Sequence, residues 1–262
     1  MRHTRFAAAT KGRRQVSALA FVFAASAAFI LSSGDAQAVM RGSNAGGISR
    51  HVVKLVGHNL LCTATVIGRQ QLLTANHCVE GSGPFYVVVG RRQIAVASHS
   101  PAGQVTQLTL ASPLPNSVTP ISTGSAGSEG GYTIAGFGTA HESARMHSAG
   151  LREARLVNDS RYNALVDPHR HGAISASACM GDSGGPVARY DGKHYVLVGI
   201  VERVSNYAGI GACGFLTHYS SVSGVSNVAS VPEGTSRQVS EPRSPRRLAA
   251  KGKRRHWASV RD

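Results

Sequence analysis

The 262-residue chain carries 28 Lys and Arg against 13 Asp and Glu, a net charge of +15 that first suggests a nucleic-acid or membrane-surface binder. Residues 1–38 contribute +4 of this and residues 232–262 contribute +6, so the body of the chain is only mildly basic and no specific nucleic-acid partner is expected. Hydrophobic residues at 42% exclude wholesale disorder, and 30 glycines with only 16% charged residues favour turns over long solvated helices.

Arg2, Arg5, Lys11, Arg13 and Arg14 form a positive leading region, followed by an apolar run from Val16 to Leu31. Small residues then lead to Asp35-Ala36-Gln37-Ala38, with Ala at both positions that signal peptidase reads. A membrane span needs about 20 apolar residues, so this run is short for a permanent anchor, which is the competing reading. Arg13-Arg14 precedes Gln15-Val16-Ser17, a poor match to twin-arginine export. Residues 1–38 therefore read as a signal peptide cleaved after Ala38. Val39 becomes the mature N-terminus, and the protein is secreted to the periplasm or the extracellular medium.

From residue 39 to 231 the pattern is one of short β-branched runs bounded by Gly, Asn, Ser or Arg. They cover residues 52–56, 62–67, 85–89, 93–98, 104–110, 131–136 and 194–201. Helical periodicity is nearly absent apart from a short segment near 219–231. Regular short strands with Gly-rich turns predict an all-β sandwich or barrel. Cys62, Cys78, Cys179 and Cys213 are an even set in an exported chain and read as two disulfides, with three pairings open. Metal binding is the alternative, but no closely spaced Cys/His cluster supports it. Asp167-Pro168-His169-Arg170-His171 reads as a surface loop, because imidazoles two residues apart face opposite ways in an extended chain. Residues 232–262, rich in Pro, Ser and Arg, read as a disordered basic tail. Electrostatic contact with an anionic surface is its functional reading. The alternative is a solvated tail trimmed from the mature protein.

Two motifs carry chemistry. Leu72-Leu73-Thr74-Ala75-Asn76-His77-Cys78 presents a histidine, and Cys179-Met180-Gly181-Asp182-Ser183-Gly184-Gly185-Pro186 sets a serine in a glycine-dense turn. Glycines let the backbone bend so that successive N–H groups face one oxyanion. A serine hydroxyl is a poor nucleophile until a base takes its proton, and His77 is the natural base. Together in one exported β protein, the two motifs outweigh an ordinary turn and a core histidine.

These motifs resemble those of the chymotrypsin/trypsin family of serine endopeptidases over about residues 39–231. The resemblance implies two six-stranded antiparallel barrels with a cleft between them. It also implies His77 as general base, Ser183 as acyl-forming nucleophile, and the Gly181 and Ser183 N–H groups as oxyanion hole. It further implies the disulfides Cys62–Cys78 and Cys179–Cys213, and an ion pair between the Val39 ammonium and Asp182, although Val39-Met40-Arg41-Gly42 departs from the usual Ile-Val-Gly-Gly. By the same resemblance Ser177, Gly214 and Val204 shape the specificity pocket. Ser177 is not an acid, so a medium or large apolar side chain is expected there. The implied substrate is a polypeptide, with no cofactor or metal and a monomeric enzyme.

Two departures concern the triad. Gln104-Val105-Thr106-Gln107-Leu108-Thr109-Leu110 aligns with the family segment that opens on the catalytic aspartate, so Gln104 takes the aspartate's place. No Asp or Glu lies between Glu80 and Glu129. In a protease of this type, changing that aspartate to an amide lowers turnover about 10⁴-fold. The second departure is Glu202-Arg203-Val204 where the family has Ser-Trp-Gly, and that serine adjoins the triad aspartate. Gln104 and Glu202 are therefore both candidates for the third member. The competing reading pairs Glu202 with Arg203 or Arg41, or leaves it to solvent. Two functions result: a serine endopeptidase, or a catalytically impaired homologue that binds a protein or polyanion.

Overall fold

The computed structural model of the protein describes residues 39–127, 130–139, 150–169 and 174–225. The segments expected to be a signal peptide and a basic tail, and Arg170 and His171 of the expected surface loop, lie outside them. The first half after a short strand β1 (Ser43–Asn44) comprises β2 (Val52–Gly57), β3 (Leu60–Val66), β4 (Gln71–Thr74), β5 (Tyr86–Val89), β6 (Arg92–Ala102) and β7 (Val105–Leu110). The second comprises β8 (Ser122–Thr123), β9 (Gly131–Gly136), β10 (Arg152–Asp159), β11 (Ala164–Val166), β12 (Pro186–Tyr190), β13 (Tyr195–Ser205) and β14 (Leu216–Ser221). Every strand run expected from the sequence falls on one of these elements.

The strands β2-β3-β4-β7-β6-β5 close on themselves into one antiparallel barrel. A second closes through β9-β10-β11-β14-β13-β12, because β9 pairs with both β10 and β12. Strands β1 and β8 add to its outside, β8 running parallel to β13. Inward residues alternate as a half-buried strand requires, so that Leu55, Ala64, Val66, Leu72, Val87, Leu108 and Leu110 fill the first barrel. Ile134, Leu156, Leu165, Val187 and Val198 fill the second. A further cluster holding Val52, Leu73, Val105, Ala135, Leu197 and Ile200 draws on strands of both barrels and joins them. The all-β, two-barrel architecture expected from the sequence is the one observed.

The helical expectation near 219–231 fares differently. Tyr219 to Ser221 form the end of β14, where Ser221 pairs with Gly199 and Tyr219 with Val201. Residues 226–231 lie outside the described residues. Both disulfides have the expected pairing, Cys62 with Cys78 and Cys179 with Cys213.

Candidate active site

His77 stands in a short 3₁₀ turn, Asn76–Val79, directly after β4. Three restraints fix that turn. The Cys62–Cys78 bridge ties it to β3, the Cys78 N–H donates to the Ala75 carbonyl, and the Thr106 hydroxyl of β7 donates to Asn76 Oδ1 at 2.8 Å. The imidazole itself is left 42% exposed.

Ser183 lies on the loop that leads into β12, and buried threonines of the first barrel hold this loop in place. Thr63 N–H donates to the Ser183 carbonyl at 2.9 Å, Thr63 Oγ1 to the Gly181 carbonyl at 2.9 Å, and Thr65 Oγ1 to the Gly184 carbonyl at 3.0 Å. Thr74 Oγ1 donates in turn to the Thr63 carbonyl at 2.9 Å. Sequence reasoning missed these residues, since a threonine facing the interior of a strand carries no signal of what it grips across a domain boundary. Gly184 sits at φ +88°, and a Cβ there would collide with the Thr63 carbonyl, so the close approach requires glycine. The Gly181 and Ser183 N–H groups have no acceptor among the described residues, the condition an oxyanion hole requires.

Asp182, 1% exposed, turns the other way into the protein. Its carboxylate accepts the N–H groups of Gly138 and Cys179, each at 2.8 Å, and that of Val39. Burial pushes its pKa up to about 7, against these three hydrogen bonds. Val39 is fully buried and has φ +52°, a conformation that a β-branched residue within a continuing chain seldom adopts.

The two candidates for the third triad member are separated by the fold. Gln104 is exposed in the β6–β7 turn, one residue before β7, and makes no hydrogen bond with His77 among the described residues. Glu202 Oε1 lies 3.4 Å from His77 Nδ1, and its Oε2 accepts from Ser220 Oγ at 3.5 Å. Glu202 owes this position to a β-bulge: in the β13–β14 ladder Val201 pairs with Tyr219 and Arg203 with His218, leaving Glu202 as the extra residue. Bulges re-aim a side chain in this way. The Glu202 hydrogen bond raises the His77 pKa above histidine's ordinary value; partial burial opposes the shift, and the charges of Glu202 and Glu80 add to it. Ser183 Oγ donates to the Glu202 carbonyl at 3.3 Å, and no hydrogen bond joins it to the His77 ring. Such contacts are often loose without substrate.

His77, Ser183 and Glu202 open onto a cavity of about 500 Å³, whose wall includes Cys179, Met180, Val204 and Cys213. Of the three expected specificity residues, Val204 lines this cavity. Ser177 and Gly214 do not: Ser177 is fully buried, its hydroxyl donating to the Ala178 carbonyl at 2.7 Å and accepting the Gly214 N–H at 2.6 Å. Cys62, His77 and Cys78 cluster as metal ligands would, but both sulfurs are committed to one disulfide.

The family model described as Trypsin matches residues 39–225. A trypsin-like protease of Streptomyces glaucescens is 30% identical over an alignment of 190 residues, with 61% of this chain and 70% of the relative covered.

Proposed function

Because the chain belongs to the trypsin family of serine proteases, we propose that it is a secreted endopeptidase in which Ser183, His77 and Glu202 form the catalytic triad. The Ser183 Oγ proton passes to His77 Nε2 as Oγ adds to the scissile carbonyl carbon. The resulting oxyanion is held by the Gly181 and Ser183 N–H groups. His77 then protonates the leaving amine as the C–N bond breaks, and water repeats the sequence to release the acid from the acyl-enzyme. The observation that carries this reading is the 3.4 Å approach of Glu202 Oε1 to His77 Nδ1, since a carboxylate there restores the charge that Gln104 lacks. Labelling of Ser183 by a fluorophosphonate in protein whose N-terminus is Val39 tests it. Absence of labelling in that protein sinks the enzyme.

Removal of residues 1–38 also serves, in this reading, as the activating cut. A free Val39 ammonium would form an ion pair with Asp182, whose isolated burial keeps its carboxyl a weak acid. It would also remove the unfavourable φ, because an N-terminal residue has none.

A second reading has its own observation. A cavity of about 500 Å³ is lined by Arg50, His51, Lys193 and His194, together with Tyr190 and Tyr195, and among the described residues no carboxylate lines it. Burial holds His51 below histidine's ordinary pKa, against its hydrogen bond to the Thr119 carbonyl and with the nearby Arg50 charge lowering it further. Such a groove suits the polyanion-binding homologue. Salt-dependent binding of a phosphate polymer by protein that no fluorophosphonate labels would favour this alternative.

A further inference from the structure

Arg203 follows Glu202 in β13 and, like it, lines the cavity beside Ser183, yet the proposed chemistry gives it no part. The next residue, Val204, packs against Cys179 and Cys213. Side chains alternate along a strand, so Arg203 faces the opposite way from Val204, and it is exposed on the rim of the cavity. Glu202 supplies the carboxylate of the cavity wall and is committed to His77 and the Ser220 hydroxyl. Among the described residues no carboxylate lies within ion-pair distance of Arg203. Its partner across the β13–β14 ladder is another base, His218, whose Nε2 is 2.8 Å from Ser205 Oγ. Burial and the Arg203 charge hold His218 below histidine's ordinary pKa, against its hydrogen bond with the Asn163 main chain. A fixed cation therefore stands at the mouth of the cavity, flanked by a neutral imidazole and by a carboxylate engaged elsewhere.

We propose that Arg203 reads an acidic side chain of the substrate at the second residue before the scissile bond. The inference rests on the protease reading and narrows its substrate class. Side chains of an extended substrate also alternate, so when the residue before the cut enters the cavity past Val204, the preceding one points toward the face that carries Arg203. A guanidinium presents a planar fork of donors that matches a carboxylate, and it is charged at every working pH. Asp or Glu is favoured at that position, and Lys or Arg is disfavoured by like-charge repulsion.

The test is kcat/KM for fluorescent peptides carrying Glu, Gln or Lys at each of the four positions before the cut. Rates are normalised to fluorophosphonate-titrated sites in the mature protein and its Arg203→Gln and Arg203→Glu variants. In wild type, Glu at the second position should exceed Gln by about two- to fivefold, the effect of one exposed ion pair, and the preference should fade in high salt. Arg203→Gln should bring the Glu-to-Gln ratio near one, and Arg203→Glu should reverse the order so that Lys exceeds Glu. A side chain with a merely structural role would not reverse it. No Glu preference at the second position in labelled wild type, or a preference that survives in Arg203→Glu, overturns the proposal. Failure of wild type to label sinks the protease reading instead. Fluorescence anisotropy of the same peptides then decides Arg203, and equal binding of the Glu peptide by wild type and Arg203→Glu overturns it.

Discussion

His77 and Glu202 are 125 residues apart in the chain, yet Nδ1 of one lies 3.4 Å from Oε1 of the other across the two barrels. In the proposed triad Glu202 takes the part of an aspartate at position 104, from a different strand. At 42% and 27% side-chain exposure the pair contributes little to stability, and the role proposed for it is catalytic.

Glu202→Gln keeps the size of the side chain and removes the charge. We expect kcat/KM to fall about 10²- to 10⁴-fold, while Gln104→Ala changes it less than about twofold. Steady-state kinetics on the two variants checks this; equal losses would return the role to position 104.

The pH profile provides a separate test. His77 must be neutral to act as base, and Glu202 raises its pKa, so activity should rise with pH through a midpoint above histidine's ordinary value. In Glu202→Gln the acidic limb should move to lower pH even as the plateau drops. A kcat/KM–pH profile of both proteins reads the shift, and a limb that stays in place contradicts the contact.

Retaining one residue before Val39 should cost both activity and stability. The Asp182 carboxyl, about 7 in the folded chain against 3.8 as its reference, keeps a proton that the unfolded chain releases. Stability of the extended protein therefore falls as pH rises from about 4 to 7, by up to a few kcal/mol. The processed protein, with an ammonium beside the carboxylate, should be spared this loss. Thermal melts of the two forms at pH 5 and pH 7.5 make the comparison.

Thr63→Val leaves the Gly181 carbonyl and the Phe137 N–H without their hydroxyl partner in a fully buried site. We expect a loss of about 2–4 kcal/mol in stability. A lower kcat should appear at temperatures where the fold persists, because the oxyanion loop loses its grip. Denaturant unfolding and kinetics at low temperature separate the two effects.

Replacing Cys179 and Cys213 together by serine opens a link across 34 residues of sequence. Loop-closure entropy puts the cost near 3–4 kcal/mol. Both cysteines also line the cavity beside Ser183, so KM should rise along with the fall in melting temperature.

Local features were legible in the sequence. Alternation of β-branched residues located the strands, and the histidine and serine motifs identified the chemistry, because each is written in consecutive residues. The family resemblance supplied the disulfide pairing that four cysteines alone leave open. The sequence also placed Gln104 and Glu202 as rivals without deciding between them. Only the tertiary structure separates them, since a bulge at Glu202 in the β13–β14 register brings it to His77 while Gln104 falls in the exposed turn before β7. The grip of Thr63 and Thr65 on the serine loop, the sealing of Ser177 and the position of Arg203 share that origin. Side-chain direction across strands distant in sequence is set by register and packing, which no local pattern encodes.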